Sequence, residues 1–392
     1  MARGEQAVRR EAVSRRLAGE SPEAIARSLG RTRQWVARWV HRYDPADPEW
    51  ATAHSRAPRT VANRTPAELE AQVLAVRERL EADPWAQVGA EAIAWELRKL
   101  DLDAPSTRTI ERILARAGKV RRRRRERYEP KGVPYPAPPV EAPGDLWQAD
   151  IVGPRHLEGG VPFLALNAID LAARAAGIEI VASEDEQGLS GALAALMGRH
   201  GVPRRLQLDN GTPFVLGSSR LGEIVRSCLC QGTTPVFIPQ GEPWRNGVVE
   251  RFNDTFNQRF FRSERFRSRE HVAERALAFE RFHNANHRYR ATGRRTPDEL
   301  TAAAKRRAAI PRAELPAGWP EQGRVEFIRF IRSDQQLRIL RRQITMPEHL
   351  TYRYVTATLD LAIPSQQGNL LVCDHEGELV QRASIVTPSR SR

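Results

Sequence analysis

Between residues 145 and 262 the sequence alternates in a way that few architectures accept. LWQADIVG, VPFLALNAID and AGIEIVA are apolar runs of strand length, and EDEQGLSGALAALMGRHG reads as a helix stopped at Gly201. RRLQLDNG is a short strand ending in a turn, RLGEIVRSCLCQG is helical, TPVFIP is a fifth strand and WRNGVVERFNDTFNQRFFRS is a last helix. Three strands, helix, strand, helix, strand, helix describe a mixed α/β domain with one central sheet.

The acids of this stretch fall where such sheets build sites. Asp150 is expected at or near the end of the first strand and Asp209 at the end of the fourth, before the turn Asn210-Gly211. In open α/β sheets the strand ends are where ligands bind. Glu250 opens the last helix, inside PWRNGVVERF. A helix glutamate is ordinarily a solvated group. Two strand-end aspartates that can meet it change that reading.

Three carboxylates at one point raise one another's pKa and do not all stay ionised unaided. A divalent cation resolves the conflict, and Mg²⁺ takes hard oxygen ligands while keeping water and phosphate oxygens in its shell. Two such ions, about 4 Å apart, would clamp the attacking and leaving oxygens of a displacement at phosphorus. Mn²⁺ suits the same oxygen donors. None of the nine histidines adjoins the three acids in sequence. His283 and His287 share i, i+4 spacing but have no third ligand for zinc. Cys228, Cys230 and Cys373 form no CxxC pair, which argues against a disulfide framework and for a reducing compartment.

Charge divides the 392 residues in the same places. The net charge is +14. Residues 1–135 hold 28 Lys/Arg against 19 Asp/Glu, residues 145–262 hold 11 against 13, and residues 263–392 hold 23 against 15. Basic flanks around a slightly acidic middle suit a polyphosphate partner, because each neutralised phosphate releases counterions. An arginine-rich composition throughout the source proteome would give the same charge, so charge alone does not decide.

The N-terminal flank adds shape to that charge. In GESPEAIARSLGRTRQWVARWVHRY, Ser21 can cap, Pro22 suits the first helical position, Gly30 stops the helix and Thr32 can cap the next. Trp35, Val36 and Trp39 form one face, while Arg33, Gln34 and Arg38 point elsewhere. A short helix, a glycine turn and a second helix is the helix-turn-helix pattern, whose second helix would read bases in the major groove. An ordinary helical hairpin is the plainer alternative. APSTRTIERILARAGKV reads as a second such module, with Ser106 as cap, Ile110, Ile113 and Leu114 inward, and Arg108 and Arg112 on an outer face. Arg121, Arg122 and Arg123 belong to a run of five arginines that begins a basic, proline-rich linker. That run is either a solvated spacer or a strand along phosphates. Residues 323–386 hold short strands with turn signals between them, as in a small antiparallel barrel.

DLWQADIVG, HGVPRRLQLDNGTPF and IPQGEPWRNGVVERFNDTF together resemble the catalytic core of the DDE integrases, the family of bacterial insertion-sequence transposases and retroviral integrases. FHNANHRYRATGRRTPDEL resembles the segment that follows the core in bacterial members. The resemblance implies an RNase H-like core with Asp150, Asp209 and Glu250 as the metal-binding acids, two Mg²⁺ or Mn²⁺ ions, and phosphodiester cleavage followed by strand transfer. Asp170 matches an acid that is not a ligand. Two departures stand out. The gap between Asp209 and Glu250 holds 40 residues, longer than in many relatives, with the extra length assigned to VLGSSRLGEIVRSCLC. The His-His-Cys-Cys zinc domain of retroviral members is missing, and bacterial members commonly carry helix-turn-helix modules instead.

The expected organisation is therefore helix-turn-helix over 1–48, a second helix-turn-helix or winged-helix-like module over 62–120, linker over 121–143, RNase H-like core over 144–300 and β-barrel over 322–386. The expected partners are double-stranded DNA, as element ends and as target, and further copies of the chain. Arg245 and Arg251 flank the site as candidate phosphate contacts. The N-terminus is charged, without an apolar signal region, and no run of apolar residues spans a bilayer, so a cytoplasmic, nucleoid-associated protein is expected. Two rival readings remain open: a nuclease of similar fold that only hydrolyses, and a DNA-binding regulator or decayed transposase without activity.

Overall fold

A computed structural model describes residues 4–53, 65–120, 132–211, 215–216 and 220–386. The chain divides into two compact units, Met1–Pro66 and Ala67–Arg392.

The first unit contains α1 (Glu5–Leu17), α2 (Pro22–Leu29) and α3 (Arg33–Arg42). The punctuation works as the residue types require. Ser21 Oγ accepts from Ala24 N and Thr32 Oγ1 from Trp35 N, both at 3.2 Å. Gly30 turns left-handed at φ 64°, letting Arg31 N reach Ala26 O at 2.8 Å. Ala12, Ile25, Ala26 and Val36 form one small core, and Val13, Trp39, Trp50 and Ala51 another.

The second unit begins with α4 (Ala67–Ala82), α5 (Ala90–Lys99) and α6 (Thr107–Arg116) around Val73, Ile93, Leu97, Ile110 and Ile113. Ser106 caps α6 through Thr109 N at 3.2 Å. The core elements follow in the expected order. They are β1 (Leu146–His156), β2 (Pro162–Asp170), β3 (Ala176–Val181), α7 (Glu186–His200), β4 (Arg205–Leu208), a minimal hairpin of β5 (Val215–Leu216) and β6 (Arg220–Leu221), α8 (Glu223–Cys230), β7 (Thr234–Phe237) and α9 (Gly247–Phe256). α10 (Arg269–Asn286) and α11 (Pro297–Thr301) come next. The hairpin and α8 take up the long interval between Asp209 and Glu250.

β8 (Arg324–Phe330), β9 (Gln336–Ile339), β10 (Arg342–Thr345), β11 (Tyr354–Asp360), β12 (Leu370–Cys373) and β13 (Leu379–Ala383) complete the chain. They do not close into the expected barrel. One nine-stranded sheet runs β13-β12-β11-β8-β7-β4-β1-β2-β3, with β9 and β10 as a separate hairpin. The physical reason lies at β8. One edge pairs antiparallel with β11, and the other pairs in parallel with β7, Val236 opposite Glu326 and Phe237 opposite Phe327. The two phenylalanine rings stack at 5.2 Å. The strand edge that a barrel would use for closure is thereby taken by the α/β core, and one apolar cluster runs from Trp147 and Leu206 through Phe237 and Phe327 to Ile385.

The second helical module is pinned to the opposite flank by α10. Trp85 sits edge-on to Phe279 and Phe282, with the Arg275 guanidinium 4.6 Å from its ring. Gln87 exchanges two hydrogen bonds with the backbone of Arg288. His287 Nε2 lies 2.8 Å from Trp85 O, and the ring is buried beside His283. Burial lowers His287 to about 4 and His283 further below its ordinary value. Both rings thus belong to this packing. Trp85→Ala should cost about 2 kcal/mol in chemical denaturation and expose the 83–90 segment to limited proteolysis before the rest of the unit.

Candidate active site

Strand register brings the first two acids together. β1 and β4 run parallel, with Leu146 opposite Arg205, Trp147 opposite Leu206 and Gln148 opposite Gln207. Carried two residues further, one past the end of β4, the same offset sets Asp150 level with Asp209, and the Asp209 carboxylate acts on Asp150. Because side chains alternate, Gln148 and Asp150 share a face, as do Gln207 and Asp209. Asp150 is not at the end of its strand, as expected from the sequence, since β1 continues to His156 against β2. It stands instead where the parallel part of the sheet stops, because β4 ends at Leu208.

The two glutamines deliver the third acid. Gln148 Nε2 and Gln207 Nε2 both donate to Arg245 O, at 3.0 and 2.9 Å. Gln148 Oε1 accepts from Val248 N and Val249 N, at 3.0 and 3.1 Å, which satisfies first-turn donors of α9. Asn246 Nδ2 donates to Ala149 O at 3.1 Å. One turn along, Asn253 Nδ2 donates to Asp150 Oδ2 at 2.7 Å, and Asn167 Nδ2 on β2 donates to Asn253 Oδ1 at 2.8 Å. Glu250 stands three residues before Asn253, so the two share a helix face turned toward Asp150. From the far side α9 is held by Phe252 and Phe256, continued by Phe260 in the π turn Asn257–Phe261.

The electrostatics follow from this placement. Asp150 is pushed up to about 6, mainly by burial and then by the carboxylates of Asp209 and Glu250, against the hydrogen bonds from Ile151 N and Asn253. Glu250 is raised by partial burial and by Asp254. Asp209 Oδ1 accepts from Gly211 N at 2.9 Å, and the turn behind it is fixed by Asn210 Nδ2 donating to Ile238 O at 2.7 Å. By contrast, Asp170 is consumed structurally, accepting from Gly144 N, Trp147 Nε1, Ala172 N and Ala173 N.

Among the described residues no three His, Cys, Asp or Glu side chains stand grouped closely enough to hold a metal ion. By chemistry alone, the donor set of Asp150, Asp209 and Glu250 suits a divalent cation. It is all oxygen, it lies at the open end of the parallel strands, and mutual repulsion already acts on its most buried member. A cavity of about 1030 Å³ lies elsewhere, lined by residues that include Trp147, His200, Glu280 and Arg306 and by none of the three acids.

The candidate DNA contacts divide. Arg33, Gln34 and Arg38 are exposed on α3, with Arg33 3.2 Å from Glu23, and Arg108 and Arg112 are exposed on α6. Arg251 is exposed on α9. Arg121, Arg122 and Arg123 lie outside the described residues. Arg245 turns inward instead of toward phosphate. It pairs with Glu242 at 3.1 Å, donates to Tyr354 Oη at 3.1 Å, and stacks 3.6 Å from the ring of Tyr135.

Sequence reasoning missed Gln148, Gln207, Asn167, Asn253 and Arg329. A signal for two of them was present: QAD and QLD each place a glutamine two residues before an acid, on the same strand face.

Residues 231–297 match the family model of the integrase core domain, and residues 4–47 match the homeodomain-like domain. No curated protein sequence matches the chain. Among solved structures it is similar to the HTLV-2 integrase catalytic core domain in complex with magnesium, at 16% identity, 41% of this chain, 97% of that one and a TM-score of 0.31. It is also similar to a chain of the simian T-cell lymphotropic virus intasome bound to PP2A regulatory subunit B56 gamma, at 15%, 76%, 95% and 0.38. A third is the catalytic core of BIV integrase, at 19%, 40%, 93% and 0.30.

Asp150 keeps its proton to about 6 in the metal-free fold, whereas an unfolded aspartate ionises near 4. Between those values the folded state binds the extra proton, so stability from this group is lost as pH rises and stays lost above 6. Urea midpoints at acid and neutral pH should therefore fall more steeply for wild type than for Asp150→Asn, and Mg²⁺ should remove most of the difference.

Proposed function

We propose that the chain is a DDE-type transposase that binds DNA ends and joins them to target DNA by metal-dependent phosphoryl transfer. The observation that carries this reading is the strand register that levels Asp150 with Asp209, combined with the amide clamp that turns Glu250 toward them. The integrase-core match supports the reaction class, and the homeodomain-like match supports DNA as partner.

In this reading Asp150, Asp209 and Glu250 hold Mg²⁺ or Mn²⁺, as two ions. When bound, such ions activate the attacking oxygen and stabilise the leaving one. Water first attacks phosphorus and the bond to the 3′-oxygen breaks, leaving a 3′-hydroxyl on one side of the nick and a 5′-phosphate on the other side of the same strand. The 3′-hydroxyl then attacks a target phosphodiester, and a target 3′-oxygen departs. The chain's own contribution is placement. β1 and β4 set the distance between two acids, and α9, locked by buried amides, aims the third. Arg33, Gln34 and Arg38 read bases, Arg108 and Arg112 serve a second recognition helix, and Arg251 meets phosphate beside Glu250. Joining two ends in concert calls for a multimer on DNA. Among the described residues no helix is long and apolar enough to cross a membrane.

The test is a joining assay with purified chain, the DNA ends flanking its own gene, plasmid target and Mg²⁺. Wild type should yield joined product, while Glu250→Gln and Asp209→Asn should yield none and still bind ends. Cleavage without joining would indicate the hydrolytic nuclease, and binding without either reaction the regulator or decayed element. In a separate binding series, Arg38→Ala should lower discrimination between end and random DNA by about 1–3 kcal/mol for each base pair that Arg38 reads.

A further inference from the structure

The strands after residue 323 read from sequence as a separate barrel, yet their side chains reach the turn behind Asp209 and the segment that leads into α9 and Glu250. Arg329, on β8, donates through Nη2 to Asn210 Oδ1 at 2.9 Å. Through Nη1 it reaches Ile238 O at 3.0 Å and Ile328 O at 2.9 Å. Asn210 is the residue after Asp209, and its own Nδ2 donates to Ile238 O. One guanidinium therefore staples the turn behind Asp209 to the start of the segment that leads from β7 to α9.

Tyr354, on β11, grips the other end of that segment. It is fully buried, and its hydroxyl donates to Glu242, with Oε1 at 2.9 Å and Oε2 at 2.8 Å. Glu242 is buried too, and it pairs with Arg245, which also donates to the Tyr354 hydroxyl. Tyr135 covers this node, its ring edge-on to Tyr354 at 5.1 Å and under the Arg245 guanidinium. Arg245 is the residue whose carbonyl both Gln148 and Gln207 hold. The path from β11 to the first turn of α9 is thus Tyr354, Glu242 and Arg245, joined by hydrogen bonds and an ion pair, and then Gln148, which donates to Arg245 O and accepts from Val248 N and Val249 N.

We propose that the C-terminal sheet is a positioning element of the active site, with Arg329 setting the Asp209 turn and Tyr354 setting the approach to Glu250. This rests on the reading of Asp150, Asp209 and Glu250 as the acids of the reaction. Neither residue touches substrate. Arg329 acts through the turn that follows Asp209, and Tyr354 through the segment that leads into α9. A buried polar group that loses one partner forces rearrangement around it, because leaving the partner unsatisfied is costly. Small displacements of reacting groups have large kinetic effects. A module that served only to bind DNA would have no reason to direct two of its strands' side chains into these loops.

The test uses the full chain with three substitutions: Tyr354→Phe, which removes one hydroxyl, Arg329→Lys and Arg329→Met. Joining is measured for kcat, for KM toward end DNA and for the Mg²⁺ concentration at half-maximal rate. Amide hydrogen exchange is followed in peptides covering 205–211 and 238–250, alongside the melting temperature. Tyr354→Phe should lower kcat about 10- to 100-fold, raise the Mg²⁺ requirement and leave KM for DNA unchanged. Exchange should rise in both loop peptides for the Arg329 variants and in the second for Tyr354→Phe. Arg329→Lys should recover part of the loss seen in Arg329→Met, since it keeps the charge but cannot fork between Asn210 and Ile238.

Wild-type kcat, Mg²⁺ requirement and loop exchange in Tyr354→Phe and Arg329→Lys would overturn the proposal. So would a lowered melting temperature with an unaltered Mg²⁺ requirement and loop exchange, which is the mark of a purely structural role. Should Arg329→Met fail to fold, the other two variants decide. Should wild type itself fail to join DNA, the transposase reading falls. The exchange of the two loops then still tells whether β8 and β11 hold them.

Discussion

A single peptide carbonyl, that of Arg245, carries the geometry of the site. Two buried glutamines from adjacent strands converge on it, and each stands two residues before an acid. A strand repeats every second residue, so a glutamine that reaches the helix fixes its aspartate on the same face. Sliding α9 by one turn would strip Gln148 and Gln207 of their acceptor and remove the partners of Val248 N and Val249 N. Buried amides left unsatisfied cost about 1–3 kcal/mol each. The clamp therefore selects one register for the helix, and with it the position of Glu250, whose charge is felt at Asp150.

The clamp is built from neutral amides, and this bears on the chemistry. Amides fix position without cancelling charge, so Asp150, raised to about 6 chiefly by burial, also feels the carboxylates of Asp209 and Glu250. The nearby arginines are turned to other work. Arg245 answers Glu242 and the two tyrosines, and Arg329 is bonded to backbone carbonyls and Asn210, with burial lowering it to about 10. Had either guanidinium paired with the acids, it would have cancelled part of their negative charge and weakened the hold on a divalent cation. The arrangement separates positioning groups from charge-bearing ones, which is what a metal-dependent site requires.

The sequence was legible where local physics decides. Ser21, Thr32 and Ser106 cap helices because short side-chain oxygens reach the free N–H groups of a first turn, and no distant partner changes that. Apolar runs of strand length marked β1, β2, β3 and β7 for the same reason. Legibility failed where the partner is remote. Gln148 and Arg245 are 97 residues apart, and nothing in either neighbourhood names the other. Arg245 looked like a phosphate contact because its position beside Glu250 was visible and its bonds to Glu242, Tyr354 and Tyr135 were not. The strands after residue 323 were read correctly as strands, but alternation tells which face is buried and not which edge is paired. Barrel or extension depends on β8 finding β7, a pairing across roughly ninety residues of chain.

That pairing also determines how the chain distributes its stability. Phe237 and Phe327 stack across the β7–β8 join, and one apolar cluster extends from the α7 side of the core to Ile385. Residues on β11 and β12 therefore share a cooperative core with the strands that bear Asp150 and Asp209, and a cavity cut into one is felt by the other. The first three helices have their own small cores, made from Ile25, Val36, Trp39 and Trp50. The exposed side chains Arg33, Gln34 and Arg38 on α3 can change without disturbing these cores. The C-terminal strands lack that freedom, since two of their side chains are already committed to the loops of the site.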